Sequence, residues 1–338
     1  MKVASISGPK KLSVGKKREP TPDSSHILVQ VSTAGICGSD IHLWREGKKV
    51  GLVMGHELCG TVVESHSNLP LSIHDRITVI PLTPCGNCVS CKIGLINLCR
   101  EVWRNAPGLN ADGGFAEYVS LRSDMVRLIP HTISDVEAAM IEPTAVAFRA
   151  IKQTEINPGD RVLIIGGGII GLLCAFWVGE KNAGHITLSE TNPARRKIAR
   201  RMNLANDVID ATIPNLADHL VTVFGGGFDK CLDCVGVEST INVALQSLKP
   251  RGTLTLIGAD SSTATIPTAS VLLRELKIVG SIAYTKSDFD ACIEMIARRG
   301  LNLERFVTAT TGFEGLQGTF ERLSTGSHSD LKVIFRPD

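Results

Sequence analysis

The sequence predicts an α/β protein in which a doubly wound parallel sheet follows a mostly β region. Three observations carry that prediction. The chain has 338 residues, more than one ordinary hydrophobic core accommodates, so two domains are expected. Up to about residue 80 it reads as short strands punctuated by Pro and Gly. From about Asp135 the texture changes to strand–helix alternation, which means a parallel sheet covered on both faces.

The first strands are HILVQVSTAG, GHELCGTVVES and DRITVIP, each with period-two alternation and β-branched residues. No long helix fits there. A cysteine-rich loop follows, and GGFAEYVSL resumes the strand pattern. SDVEAAMIEPTAVAFRAIKQ carries apolar residues at helical spacing, interrupted by Pro143. RVLIIGGGIIGLLCAFWVGEK then reads as a buried strand, a glycine turn and a helix. HITLSE is the next strand, and NPARRKIARRMNL a helix with Pro193 in its first turn. FDKCLDCV, GTLTLIGA and LKIVGSIA continue as short apolar strands, and beyond about residue 285 the alternation is less clean. No internal repeat or low-complexity tract interrupts the pattern.

Composition narrows the class. An apolar fraction of 43% supports burial, and 32 glycines imply many tight turns. With 36 basic residues against 34 acidic ones, and basic pairs scattered, neither nucleic acid nor membrane is implied as a partner. MKVASISGPKKLSV lacks the apolar core of a signal peptide, and the longest apolar stretch, Val162–Val178, is broken by four glycines. Ten cysteines without an export signal point to a reducing compartment, so a cytoplasmic protein is expected.

Gly166-Gly167-Gly168-Ile169-Ile170-Gly171 is a GxGxxG pattern directly after a strand and opening a helix. Glycines there allow a tight turn and close approach to a pyrophosphate, and the helix N-terminus supplies free N–H groups. Glu190 ends the next strand, nineteen residues after Gly171, near the spacing of a carboxylate that binds the adenosine ribose. Such a carboxylate repels a 2′-phosphate and favours NAD over NADP, although Arg195 or Arg196 could pair with one. The alternative is a turn needed only for packing, with Glu190 a solvated strand end.

Two clusters have metal-ligating chemistry. Cys85, Cys88, Cys91 and Cys99 lie in CGNCVSCKIGLINLC, and four thiolates complete tetrahedral Zn²⁺, giving a closed structural site. The second set is Cys37 in AGICGSDIH, His56 and Glu57 in MGHELCGTVV, and Glu142 before Pro143. One thiolate, one imidazole and one or two carboxylates can keep a position open for water or an alcohol. On spacing alone, Cys37 could equally be core and Glu142 a helix cap.

The ordered set Cys37-Gly38-Ser39-Asp40, Gly55-His56-Glu57, the four-cysteine loop, Asp112-Gly113-Gly114-Phe115, Ile141-Glu142-Pro143 and GGGIIG resembles the zinc-dependent medium-chain dehydrogenases. Within that family the chain is similar to the polyol (sorbitol-like) and 2,3-butanediol branches. The resemblance implies a Rossmann sheet domain at 146–285, a mostly β GroES-like catalytic domain at 1–145, and a segment at 286–338 returning to the latter. It implies that Cys37, His56 and Glu57 bind a catalytic zinc, with Glu142 completing the shell or holding its water. Ser39 would begin a proton relay and His42 continue it. Gly166, Gly168, Ile170, Gly171, Glu190 and Arg195 would line NAD. The implied chemistry is hydride transfer from a secondary alcohol to the nicotinamide, with zinc as Lewis acid. The family also implies a homodimer or homotetramer.

Some residues depart from the family pattern. No proline precedes the glycine of the GHE motif, and His74 stands where a glycine is usual, implying a reshaped turn. Ala283 replaces an arginine common before Tyr284 in polyol members, and Leu43 replaces a frequent tyrosine. Arg45, Lys48 and Lys49 could favour an anionic substrate or be solvated loop charges. The expected substrate is a small-molecule alcohol: a polyol, sugar derivative or vicinal diol. Sugar phosphates, sugar acids and amino alcohols are alternatives within the class. A non-catalytic NAD-binding protein on the same scaffold is the rival outside it.

Overall fold

The computed structural model describes residues 1–66, 70–259, 263–326 and 328–337. The chain forms two compact units, Met1–Glu142 with Tyr284–Asp338, and Pro143–Ala283.

The first unit begins with a hairpin of β1 (Lys2–Gly8) and β2 (Lys11–Lys16). β3 (His26–Gly35) follows, then helix α1 (Gly38–Glu46), β4 (Glu57–Ser65) and β5 (Arg76–Val79). The cysteine loop holds the short helix α2 (Val89–Lys92); β6 (Tyr118–Arg122), β7 (Val126–Leu128) and α3 (Asp135–Ala139) come next. β3 is the hub: it pairs antiparallel with β4 and β6, and its buried positions feed the core. Trp44, Phe115, Phe313, Phe320 and Phe335 fill that core, with Phe115 edge-on to Phe320 at 6.0 Å and to Phe335 at 5.4 Å.

Helix α4 (Ile141–Thr154) leads into the second unit. There β8 (Arg161–Ile165), α5 (Ile169–Glu180), β9 (His185–Glu190), α6 (Pro193–Met202), β10 (Asp207–Asp210) and α7 (Leu216–Val223) follow one another. β11 (Phe228–Asp233), α8 (Glu238–Ser247), β12 (Leu248–Leu256), α9 (Thr268–Leu273) and β13 (Lys277–Gly280) complete it. All six strands are parallel, in the order β10-β9-β8-β11-β12-β13. The order reverses between β8 and β11, the topological switch point at which a Rossmann sheet binds its ligand.

The chain then re-enters the first unit as α10 (Lys286–Arg299), β14 (Val307–Thr311), α11 (Leu316–Ser324) and β15 (Lys332–Phe335). β15 pairs antiparallel with β3, Ile334 opposite Gly35. The expected architecture is therefore present: a doubly wound parallel sheet and a mostly β GroES-like unit.

Two local expectations differ from what forms. The region read as strands contains the nine-residue α1. It forms because Cys37 is extended at the N-cap, the Asp40 carboxylate accepts the Cys37 N–H at 2.8 Å, and Gly47 at φ 60° ends it. Pro143 does not interrupt a helix: the break falls at Met140, and Pro143 sits in the first turn of α4, where its missing N–H is not needed. His74 adopts φ 76°, the left-handed backbone that glycine favours. Among the described residues, no helix is long and apolar enough to cross a membrane.

Candidate active site

The catalytic candidates come from short stretches around the β3–β4 ladder. Cys37 lies just past β3, at the N-cap of α1, and His56 and Glu57 lie at the start of β4. Antiparallel pairing sets Glu57 opposite Gly35, so one end of the ladder brings Cys37 close to His56 and Glu57. Ligand atoms of these three lie within 4.8 Å of one another. The set fits a divalent metal: a soft sulfur, an imidazole and a carboxylate, three protein donors that leave a coordination position open. Glu142 is not among the donors gathered within that distance.

Ser39 stands in the first turn of α1, and its Oγ is buried with no hydrogen-bond partner among the described residues. It is therefore available to a bound hydroxyl. His42 is exposed on the same helix.

The Glu142 carboxyl is 8% exposed and accepts a hydrogen bond from the buried Tyr284 hydroxyl at 3.0 Å. Burial pushes it up to about 7, aided by the charge of Glu57 and opposed by His56, Tyr284 and Lys332. A carboxyl of that kind changes protonation near neutral pH. For His56, burial disfavours the imidazolium, but Cys37 and Asp40 outweigh it and hold the ring above its ordinary value.

The four-cysteine loop forms a second, separate cluster. Cys88 and Cys91 sulfurs are 3.5 Å apart, Cys99 and Cys85 3.6 Å, and Cys85 and Cys91 4.0 Å. Tetrahedral Zn–S bonds of roughly 2.3 Å require sulfurs about 3.8 Å apart, so the loop fits a closed zinc site. All four cysteines are free thiols. Backbone N–H groups of Asn87 and Cys88 pull the Cys85 thiol down to about 6, toward the thiolate that a metal requires.

In the second unit the glycine turn joins β8 to α5. Gly166 has φ 97°, and a Cβ on Gly171 would collide with the Gly166 carbonyl. Gly168 is the N-cap of α5, and Ile170 lies in its first turn. Glu190, 6% exposed, accepts the Gly167 N–H on Oε2 at 2.7 Å and the Asn192 N–H on Oε1 at 2.7 Å. Arg195 reaches within 4.0 Å of the position a Cβ on Gly168 would occupy. Arg196 is committed elsewhere, to Asp210 at 2.7 Å and to the carbonyls of Glu190 and Thr191. Beside Thr191 a cavity of 380 Å³ opens, lined by Ile165, Ala211, Ile213, Leu216 and Val243.

Comparison with known proteins matches two family models, one in each stretch of the chain. The model of the alcohol dehydrogenase GroES-like domain matches residues 23–131, and that of the zinc-binding dehydrogenases matches 169–298. L-galactonate-5-dehydrogenase of Escherichia coli K12 is 30% identical over 95% of each chain. Sorbitol dehydrogenase of Bacillus subtilis is 30% identical over 94% of this chain and 93% of its own. A solved Escherichia coli structure, described as a short chain alcohol dehydrogenase complexed with NADH, superposes with a TM-score of 0.93 at 26% identity over 99% of each chain.

The chain belongs to the zinc-dependent medium-chain alcohol dehydrogenases. Within them it falls in the polyol branch, and it is an oxidoreductase acting on CH–OH groups with zinc and a nicotinamide coenzyme.

Two residues beside this dehydrogenase's metal cluster have no role that the motifs assign. Asp40, fully buried, lies with Oδ1 3.5 Å from His56 Nδ1 while its Oδ2 caps α1 at Cys37. A ligating histidine commonly turns its other ring nitrogen to a carboxylate in this way, so the arrangement fits Nε2 as the nitrogen offered to a metal. Its signal was present, since an acid three residues after a helix N-cap is a capping position. Lys332, 1% exposed on β15, contacts Glu57 from the far end of the chain. No local motif announces it.

Proposed function

We propose that this dehydrogenase oxidises a secondary hydroxyl of a polyol, sugar acid or vicinal diol to a ketone, with NAD as hydride acceptor. The observation that carries the reading is the three-donor set of Cys37, His56 and Glu57, beside a free, buried Ser39 hydroxyl. Zinc, when bound, supplies Lewis acidity to the substrate hydroxyl. The chain's own groups do the rest. Cys37, His56 and Glu57 hold the metal; Ser39 accepts the hydroxyl proton as it gives up its own, and His42, exposed on the same helix, carries that proton outward. Glu142, kept near neutral pH by burial, orients water at the open position.

Gly166, Gly168, Ile170 and Gly171 approach the pyrophosphate, and Glu190 binds the ribose diol through lone pairs not used by Gly167 and Asn192. Arg195 lines the same turn. Preference for NAD over NADP rests on the Glu190 carboxylate. The four-cysteine zinc is structural. A cytoplasmic homodimer or homotetramer fits the reading: β13 is an edge strand of its sheet, and Leu272 and Leu273 next to it are 77% and 80% exposed.

The test is a panel of polyols, sugar acids, sugar phosphates, amino alcohols and butanediols, followed by NADH absorbance. Turnover confined to sugar phosphates or amino alcohols would replace the proposed substrate class. No turnover, with zinc held only by the cysteine loop, would favour the non-catalytic NAD-binding alternative.

A further inference from the structure

Lys332 opens the last strand of the chain, in which every side chain is buried. Its Nζ lies 2.6 and 2.8 Å from the two oxygens of Glu57 and 3.1 Å from the Ile36 carbonyl. Those three acceptors use all three protons of the ammonium group. The Glu57 carboxylate also lies against Gly35, because a Cβ there would run into Glu57 Oε2. A buried ammonium is expensive to desolvate. Here its compensation comes from a member of the metal cluster, 275 residues away in sequence.

We propose that Lys332 is a positioning residue of the catalytic metal centre, which fixes the Glu57 carboxylate against Gly35 and leaves its remaining lone pairs to the metal. The inference rests on the assignment of Cys37, His56 and Glu57 as that metal's ligands. A carboxylate that receives a charged hydrogen bond while it ligates is held in one orientation, and loss of such an outer partner typically weakens metal binding 10–100-fold. Charge alone predicts the opposite sign. A buried cation beside a divalent metal repels it, so removing the cation would tighten metal binding if positioning played no part.

The experiment compares Lys332→Met, Glu57→Gln and the double variant in the full chain. Zinc affinity is read by competition with a chromophoric chelator, with cysteine-loop zinc and NADH binding as internal references. The expected result is a 10–100-fold loss at the catalytic site in Lys332→Met, references unchanged, and partial recovery in Lys332→Arg. In the Glu57→Gln background, Lys332→Met should cause no further loss, because its partner is already gone. Unchanged or tighter zinc, equal losses in both backgrounds, or parallel loss of cysteine-loop zinc would overturn the proposal. If Lys332→Met does not fold, Gly35→Ala tests the same cradle: it should weaken catalytic zinc selectively, and unaltered affinity would overturn the idea. Failure of the underlying ligand assignment looks different, since Cys37→Ser would then leave the zinc content intact.

Discussion

Replacing Glu190 by alanine separates the hydrogen bonding that the structure shows for this carboxylate from the coenzyme contact proposed for it. Its Oε2 accepts the buried Gly167 N–H in the middle of the glycine turn, and its Oε1 accepts the Asn192 N–H and the Thr191 hydroxyl. Water can reach the two partly buried donors after truncation, but the Gly167 N–H is buried. Orphaning it costs about 1–3 kcal/mol, which lowers the Tm of the unit by roughly 4–10 °C. That loss exists without any coenzyme.

The second role is coenzyme choice. A charged acceptor on the ribose diol contributes about 1.5–3 kcal/mol, so NADH should bind roughly 10–150-fold more weakly to Glu190→Ala. NADPH should lose much less, because the carboxylate that repels its 2′-phosphate is gone while Arg195 remains. Glu190→Gln divides the effects: its amide oxygen can still accept the Gly167 N–H, so stability should largely persist while discrimination falls. Differential scanning calorimetry and coenzyme fluorescence titration measure the two quantities. If NADH and NADPH weakened in equal proportion in both variants, Glu190 would be a scaffold residue and the proposed basis of NAD preference would be wrong.

Three further outcomes follow from single residues. Cys37→Ser should abolish turnover and remove one of two zincs while leaving NADH binding unchanged; equal loss of coenzyme binding, measured by fluorescence titration, would refute the separation of roles. In metal-free protein, Glu142 has a folded value of about 7 against an ordinary 4.5, so between these the folded state binds more protons than the unfolded one. Stability should therefore fall as pH rises through that window, by at most roughly 3–4 kcal/mol across it, and Glu142→Gln should remove this dependence, as read by urea unfolding of chelator-treated protein. His74→Gly should stabilise the fold by about 0.5–1 kcal/mol, since an exposed non-glycine residue at φ 76° is relieved; an unchanged midpoint in urea would mean the histidine has a compensating contact.

What could be read from the sequence follows the range of the interactions concerned. The strands and the glycine turn were legible because period-two burial and GxGxxG are local, and the ligands Cys37, His56 and Glu57 lie at the ends of two strands that pair directly. α1 was hidden because its nine residues are mostly polar, with only Asp40, Ile41 and Trp44 buried, so hydrophobic periodicity carries little signal. The turn at His74 is ambiguous for a different reason. A missing glycine signals either a new backbone or a strained old one, and residue identity cannot choose between them; the backbone hydrogen bonds His74 N–H to Val62 O at 2.8 Å and Asp75 N–H to Ser72 O at 3.1 Å accompany the strained one.

Lys332 is the limiting case, because its meaning depends on β15 pairing with β3, a contact that joins the end of the chain to its beginning. The one available clue is that a lysine precedes Val-Ile-Phe in a strand otherwise fit for full burial. A charge in such a place needs an opposite charge in the same core. Only a buried acid can supply it, and among the described residues of the first unit the candidates are few: Asp40, Glu57, Glu142 and Asp288. Asp40 caps α1, Asp288 caps α10 and Glu142 takes the Tyr284 hydroxyl, which leaves Glu57 as the carboxylate without another protein partner in these hydrogen bonds. The ion pair is thus the consequence of how the other three acids are already spent, and it places the chain's last strand inside the chemistry of its first hundred residues.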